Sequence, residues 1–337
     1  MSTEDVSARY DDLDAWPSAD IVGAIIEGQL AAVAAVAAAG AAIAKAVDAA
    51  AAHVGDKGRI VYVGAGTSGR VAVQDGAELM PTFDWPAERV VFLMAGGSEA
   101  LTRSIEGAED DETEGRRAID RAKVRSEDIV IGVAASGGTP YTVAALRRAG
   151  ERGALTIAIA SNARTPLLAA AEHPIHVDTG GEVVAGSTRM KAGTAQKIVL
   201  NAISTALMIR LGRVHRGYMV DMRISNVKLR RRGERMVAAI AGCGIRTAAA
   251  ALDRGDNDVK TAVLLARGAT AADAAALLAR TQGNLRMALA EQARADDRSP
   301  LTAQPRIERI SKHVAQKVEP ERQKKNGKAR EYRAPRR

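Results

Sequence analysis

The sequence predicts an α/β protein: a five-stranded, parallel, doubly wound sheet with an N-terminal helix before it and a small helical domain after it. Three observations predict this. Five short runs rich in β-branched residues recur between residues 59 and 179, each followed by a stretch that patterns as helix or loop, as in a parallel sheet covered on both faces. Aromatic residues make up only 3% of a chain that is 47% hydrophobic, so Ala, Val, Leu and Ile must fill the core, which favours helices packed closely on a sheet. With 26% charged residues, the 337-residue chain has the composition of a soluble globular protein.

Taken in order, residues 1 to 18 read as an irregular arm, with "DDLDAWPSAD" leading to a helix N-cap at Ser18 or Asp20. The pattern is then helical to about His53, divided near Gly40. Within it, "LAAVAAVAAAGAAIA" (Leu30 to Ala44) is uncharged only between Glu27 and Lys45. That is too short and too Ala-rich for a membrane span or signal peptide, so a packed soluble helix and no membrane are expected. The strands are expected at 59–66, 89–97, 128–138, 155–162 and 173–179. Beyond them, "GEVVAGSTRMKAGTAQK" reads as a loop with cap candidates Ser187 and Thr188, before an apolar helix ending at Gly212. Hydrophobicity all round that helix implies burial or a subunit contact. Residues 235 to 295 are again helical, with turns at Gly244, Gly255, Gly268 and Gly283. The expected organisation is 1–50, arm and Ala-rich helix; 51–230, sheet domain; 231–296, small helical domain; and 297–337, a basic tail expected to be disordered.

The formal net charge of +8 is not spread over the fold. Residues 301 to 337 hold 12 Lys/Arg against 4 Asp/Glu, which leaves 36 of each sign elsewhere. No nucleic-acid partner is therefore expected for the folded body. The single Cys243 excludes an internal disulfide and makes the cytoplasm the default compartment.

Ligands of open α/β sheets bind beyond the carboxyl ends of the strands, and three corners there share one chemistry. "GAGTSGR" offers Gly66 with Thr67 and Ser68, "ASGGTPY" offers Ser136 and Thr139, and "GSTRMKAGT" offers Ser187, Thr188, Arg189 and Lys191. A helix N-terminus attracts an anion through its dipole and its free N–H groups. The first corner also fits a dinucleotide pattern, but the second strand ends in "LMAGG" without the acid a ribose needs, and no corner reads GxxxxGK[ST]. For any one corner, hydroxyls serving only as helix caps is an equal alternative. Three such corners on one sheet favour a sugar phosphate.

Together, "GAGTSGR…DGAELMPTF", "SIEGAEDD", "ASGGTPY", "EVVAGSTRMKAGTAQKIVLNAISTALMI" and "MVDMRISNVKL" resemble the N-acetylmuramic acid 6-phosphate etherases of the sugar isomerase (SIS) phosphosugar-binding superfamily, over about residues 20 to 290. The resemblance implies a flavodoxin-like SIS domain, a small ubiquitin-associated-like helical domain and a cytoplasmic homodimer. It further implies a phosphosugar substrate, no cofactor and no metal. It places the family's two catalytic glutamates on Glu78 and Glu109. Where the family commonly has Arg in "ASGRTPY", this chain has Gly138, and "AELMPT" stands for the usual "SECPPT". Asn226 and Lys228 match a family motif without an assigned task.

Two acids suit an elimination. Glu109 as carboxylate would remove the C2 proton of the ring-opened sugar, and Glu78 as carboxylic acid would protonate the lactate leaving C3. A glutamate titrates near ~4.3 in water, so Glu78 is expected to be kept protonated by burial or by a nearby anion, and "GAELMP" is suitably apolar. Asp75, Glu106, Asp110 and Asp111 are the neighbouring acids open to confusion with these two. A phosphosugar isomerase and a non-enzymatic sugar-phosphate sensor are the rival functions.

Overall fold

The computed structural model describes residues 2 to 298. The expected disorder of the basic tail therefore lies, apart from 297 and 298, outside the described residues. The chain runs α1 (Ser18–Ala38), α2 (Gly40–His53), β1 (Ile60–Gly64), α3 (Gly66–Ala77), α4 (Leu79–Phe83), β2 (Val90–Met94), α5 (Glu112–Arg121) and β3 (Ile129–Val133). It continues with α6 (Pro140–Glu151), β4 (Leu155–Ala160), α7 (Pro166–Ala169), β5 (His173–His176) and α8 (Lys191–Arg210). All five strands are parallel, in the order β2-β1-β3-β4-β5. The order reverses between β1 and β3, whose last residues pair Gly64 with Val133, so the switch point where such sheets bind ligands lies there.

Strand alternation divides the core in two. Ile60 and Tyr62 of β1 face a layer made by α1, α2, α3 and α8, while Val61 and Val63 face α5, α6 and α7. Both faces are covered, which is why β1, β3 and β4 are buried at every position. Arg59 clamps the start of the sheet: its guanidinium and backbone N–H both reach the fully buried Asp128 carboxylate ahead of β3.

The remaining helices, α9 (Val227–Ala241), α10 (Ile245–Arg254), α11 (Val259–Ala266), α12 (Ala271–Arg280) and α13 (Leu285–Arg298), enclose a third core with Val220 and Met222. Asp221 joins it to the sheet unit. Its carboxylate lies 2.5 Å from the Lys260 ammonium and 3.6 Å from Arg213, whose guanidinium also donates to the carbonyl of Phe83.

Three local expectations are corrected. Neither Ser18 nor Asp20 caps α1; the extended Pro17 is the N-cap and no side chain closes the turn. Ser187 and Thr188 do not cap α8. The 99%-buried Glu182 does, accepting the backbone N–H groups of Lys191 and Ala192 at 2.9 and 3.0 Å, because a carboxylate makes two charge-assisted bonds where a hydroxyl makes one. Third, the Ala-rich helix packs on α8 as expected for a packed helix, but through one side only. Ala24, Gly28, Ala32 and Val36 are the buried residues of α1, with Ile21, Ile25, Gln29 and Ala35 half-buried beside them, and the other positions of this 21-residue helix, long and apolar enough by composition to cross a membrane, are exposed.

Candidate active site

The first glycine corner is shaped by backbone demands. Gly66 opens α3 at φ +52°, a conformation that favours glycine. Gly69 packs so near Gly64 that a Cβ there would meet the strand at 2.9 Å. This brings the start of α3 hard against the carboxyl end of β1, as in phosphate-binding βα turns. The N-cap of α3 is Ala65, and no side chain caps it. Its opening N–H groups therefore lack the intrahelical acceptors that later ones have. Neither Thr67 nor Ser68 is spent as a cap, and Thr139, the N-cap of α6, makes no side-chain capping bond either. The capping alternative fails at all three corners.

A cleft of about 270 Å³ opens over this corner, and its lining includes Gly66, Arg70, Arg103, Glu106 and Glu109. Glu109 sits on a 3-10 turn, Ala108–Asp110, and is exposed to the cleft. Arg70 braces the facing loop by donating to the carbonyls of Ala100 and Arg103 at 3.0 and 2.9 Å. Asp111 is occupied as the side-chain cap of α5, accepting from the Glu114 N–H at 2.8 Å. Glu106 is the acid that shares the cleft with Glu109.

The other corners flank this one. Ser136, beyond the adjacent strand β3, accepts the Gly138 N–H on Oγ at 3.2 Å, and Asn162 Nδ2 holds its carbonyl at 3.3 Å. Asn162 in turn accepts from the backbone N–H of the fully buried Thr3, so the N-terminal arm is laid across the end of β4. The third corner touches the first: a Cβ on Gly193 would lie 3.4 Å from both the Thr67 methyl and the Thr188 carbonyl. Half-buried Ser187 and Thr188 are held there by the turn bonds Met190 N–H to Ser187 O and Gly193 N–H to Thr188 O. Lys191 is buried, its stem running along α1 at Gly28.

Glu78 is not in the cleft. It follows the last residue of α3, which runs back along β1, and is exposed. The 12 residues of α3 carry it about 18 Å along the helix axis from Gly66. Apolar neighbours do not bury it, because Leu79 takes the inward position. Asp75, by contrast, is buried in a closed network, accepting from Tyr62 Oη at 2.7 Å, Asn201 Nδ2 at 2.6 Å and Ser204 Oγ at 2.9 Å. Burial, and then the Asp75 charge, push the Tyr62 phenol well above its ordinary value, so it stays a donor. Asp75 is structural.

Sequence reasoning missed Glu182, Arg70 and Arg103. Only Arg70 carries a local signal, standing directly after the third glycine of the corner. A larger hollow of about 530 Å³ lies between α12 and α13, near Asp273, Arg280 and Glu291. It is on the helical unit, away from the strand ends, and Arg280 is paired with Glu291 at 3.1 Å.

The chain is similar to known proteins over most of its length. Residues 42–150 match the model of the glucokinase regulatory protein N-terminal SIS domain, and residues 114–206 match that of the SIS domain. The chain is 47% identical over 290 residues to an N-acetylmuramic acid 6-phosphate etherase of Deinococcus radiodurans, covering 86% of this chain and 95% of that one. It is 46% identical over 292 residues to one of Streptomyces coelicolor, covering 86% and 94%. A third, from Erwinia tasmaniensis, is 49% identical over 248 residues, covering 73% and 81%.

Proposed function

The chain belongs to the N-acetylmuramic acid 6-phosphate etherases, and from that membership we propose how its own residues carry the reaction. The enzyme cleaves the D-lactyl ether of N-acetylmuramic acid 6-phosphate, giving N-acetylglucosamine 6-phosphate and D-lactate, a step of peptidoglycan recycling. The observation that carries the site assignment is that Glu109 and the uncapped start of α3 share one cleft.

The phosphate is held at the start of α3, by the N–H groups of Gly66, Thr67 and Ser68 and by the hydroxyls of Thr67 and Ser68, with Ser136 and Thr139 from the neighbouring strand end. The first two N–H groups of α8 are already taken by Glu182. The third corner therefore contributes the hydroxyls of Ser187 and Thr188 and the charge of Lys191 rather than a second open helix end. With the phosphate anchored and the ring open, the C2 hydrogen is acidified by the C1 aldehyde. Glu109 takes that proton, the electron pair forms the C2–C3 double bond, and the C3–O bond breaks as Glu78 protonates the departing lactate oxygen. Water then adds at C3. Glu78, now carboxylate, accepts the water proton, and Glu109 returns its proton to C2.

A cytoplasmic homodimer, with the sheet domain at 51–230 and the helical domain at 231–296, completes this reading. The test follows deuterium entering C2 alongside lactate release. Glu109→Gln is expected to lose both, whereas Glu78→Gln loses lactate release and keeps some exchange. Unchanged turnover in both variants overturns the assignment.

A further inference from the structure

The cleft over the first corner contains a cation that the chain itself does not use. Arg70 and Arg103 both line it. Arg70 is half-buried and spends Nε and Nη2 on the carbonyls of Ala100, Leu101 and Arg103, at 2.9 to 3.2 Å. Arg103 is held by its main chain: its N–H donates to the Glu99 carbonyl at 3.1 Å, and its own carbonyl accepts from Arg70 at 2.9 Å. Its exposed guanidinium makes no hydrogen bond or ion pair among the described residues, although two carboxylates, Glu106 and Glu109, line the same cleft. The arginines of the next helix, Arg116 and Arg121, are by contrast paired, with Glu151 and Glu114.

The loop that carries Arg103 is closed on itself. Gly96 turns at φ +80° after β2, and a Cβ there would meet Ile105 at 2.9 Å and the buried Ala100 at 3.3 Å. The backbone on both sides of Arg103 is therefore fixed, as a binding side chain requires of its support.

The substrate of the etherase reading carries two anions, the phosphate on C6 and the carboxylate of the lactyl group on C3. In that reading the start of α3 takes the first. Glu109 works at C2, so the group on the adjoining C3 must lie in the same cleft. There the lactyl carboxylate faces Glu106 and Glu109, and two like charges lining a space of about 270 Å³ oppose a third unless a cation offsets them. A guanidinium meets a carboxylate with two parallel N–H bonds and the opposite charge.

We propose that Arg103 clamps the lactyl carboxylate, and so makes the site select the ether substrate over phosphosugars that lack this group. The inference rests on the etherase reading for the identity of the substrate. The leaving oxygen is bonded to the carbon that bears the carboxylate. A guanidinium on that carboxylate therefore also lies near the charge that develops as the C3–O bond breaks. After cleavage the sugar keeps only the phosphate anchor and lactate keeps only Arg103, so each product is held at one point where the substrate is held at two. The phosphate is the rival occupant, but the uncapped start of α3, with the hydroxyls of Thr67 and Ser68, already supplies its donors.

The experiment compares wild type, Arg103→Gln and Arg103→Lys of the full chain on two substrates. One is N-acetylmuramic acid 6-phosphate, and the other is its lactyl amide, in which a carboxamide replaces the carboxylate. Wild type should show a kcat/KM ~30-fold higher for the acid than for the amide, the effect of hydrogen bonds between charged partners. Arg103→Gln should lose about that factor on the acid and little on the amide, so that the two substrates become equal within ~3-fold. Arg103→Lys should recover part of the loss, since it restores the charge without the fork. Inhibition by N-acetylglucosamine 6-phosphate, which has the phosphate and no lactyl group, should be as strong in Arg103→Gln as in wild type, a result that a distorted cleft does not allow. An acid-to-amide ratio in Arg103→Gln equal to that of wild type overturns the inference. An equal loss on both substrates also overturns it, by giving Arg103 a structural role. Weakened inhibition by the sugar product does the same, by moving Arg103 to the phosphate. A wild type that releases no lactate from either substrate refutes the etherase reading and the clamp with it, whereas lactate release indifferent to Arg103 refutes the clamp alone.

Discussion

Replacing Glu182 tests how the third corner is held. Its carboxylate is 99% buried and accepts two N–H groups at the start of α8, 2.9 and 3.0 Å away. Hydrogen bonds to a charged group contribute roughly 1.5–3 kcal/mol each, and Glu182→Ala leaves both donors unmet, although it also relieves the burial of a charge. A loss between the ~1 kcal/mol of an ordinary cap and the ~6 kcal/mol of two such bonds follows, and about 3 kcal/mol is expected. The segment from Ser18 to Arg210 gains about 0.4 kcal/mol/K of unfolding entropy, so the midpoint should fall by about 7 °C in a calorimetric scan. Glu182→Gln keeps one acceptor and should lose about half as much. Because α8 presses Gly193 against Thr67, loosening its start should also raise KM for the phosphosugar about 10-fold with kcat nearly unchanged, as expected of a group that holds a binding loop and does no chemistry. A midpoint and a KM both equal to wild type in Glu182→Ala would refute the capping role.

Asp128 gives a pH prediction. Burial pushes its carboxyl up, but hydrogen bonds from the Arg59 side chain and from the backbone N–H groups of Arg125 and Arg59 outweigh this and hold it below the ordinary 3.8. A depressed folded value means the group stabilises the fold above pH 3.8 and loses that contribution as pH falls through the folded value. Asp128→Ala should therefore cost about 3 kcal/mol at pH 7 by urea titration, with the difference from wild type shrinking in acid. Gly138→Arg, which restores the residue common in the family, should leave the thermal midpoint unchanged, since a Cβ there meets nothing nearer than Ser136 Oγ at 3.9 Å; it should lower KM in the lactate assay by adding a cation at the phosphate corner. Deleting residues 301 to 337 should leave lactate release intact, because the formal charge of the rest of the chain is balanced without them; loss of activity would assign the tail a role in the site.

Much of the fold was legible because its causes are local. Strands buried on both faces must be apolar at every position, and all five lie inside the runs expected for them. The break near Gly40 falls at Ala39, where ψ is near 0°. The first corner was legible because φ +52° at its opening favours glycine. What escaped was non-local. Ser187 and Thr188 are good caps by type and position, yet Glu182, further back along the loop, takes both N–H groups because it is charged and buried against them. Asp75 and Glu78 stand three apart and read alike in the sequence, but α3 ends between them. One carboxylate turns into the network with Tyr62 and Ser204, and the other turns out to solvent.

The two apolar helices show the limit most clearly. Both α1 and α8 are rich in apolar residues, and the sequence leads to a packed helix for the first and to burial or a subunit contact for the second. In the fold, α8 buries eleven of its twenty residues and α1 only four of twenty-one. Hydrophobic pattern records that a face must be covered, and it carries no mark of whether the cover comes from the same chain. The glutamate pair has the same ambiguity, since a family motif fixes which acids react and says nothing of how many chains supply them.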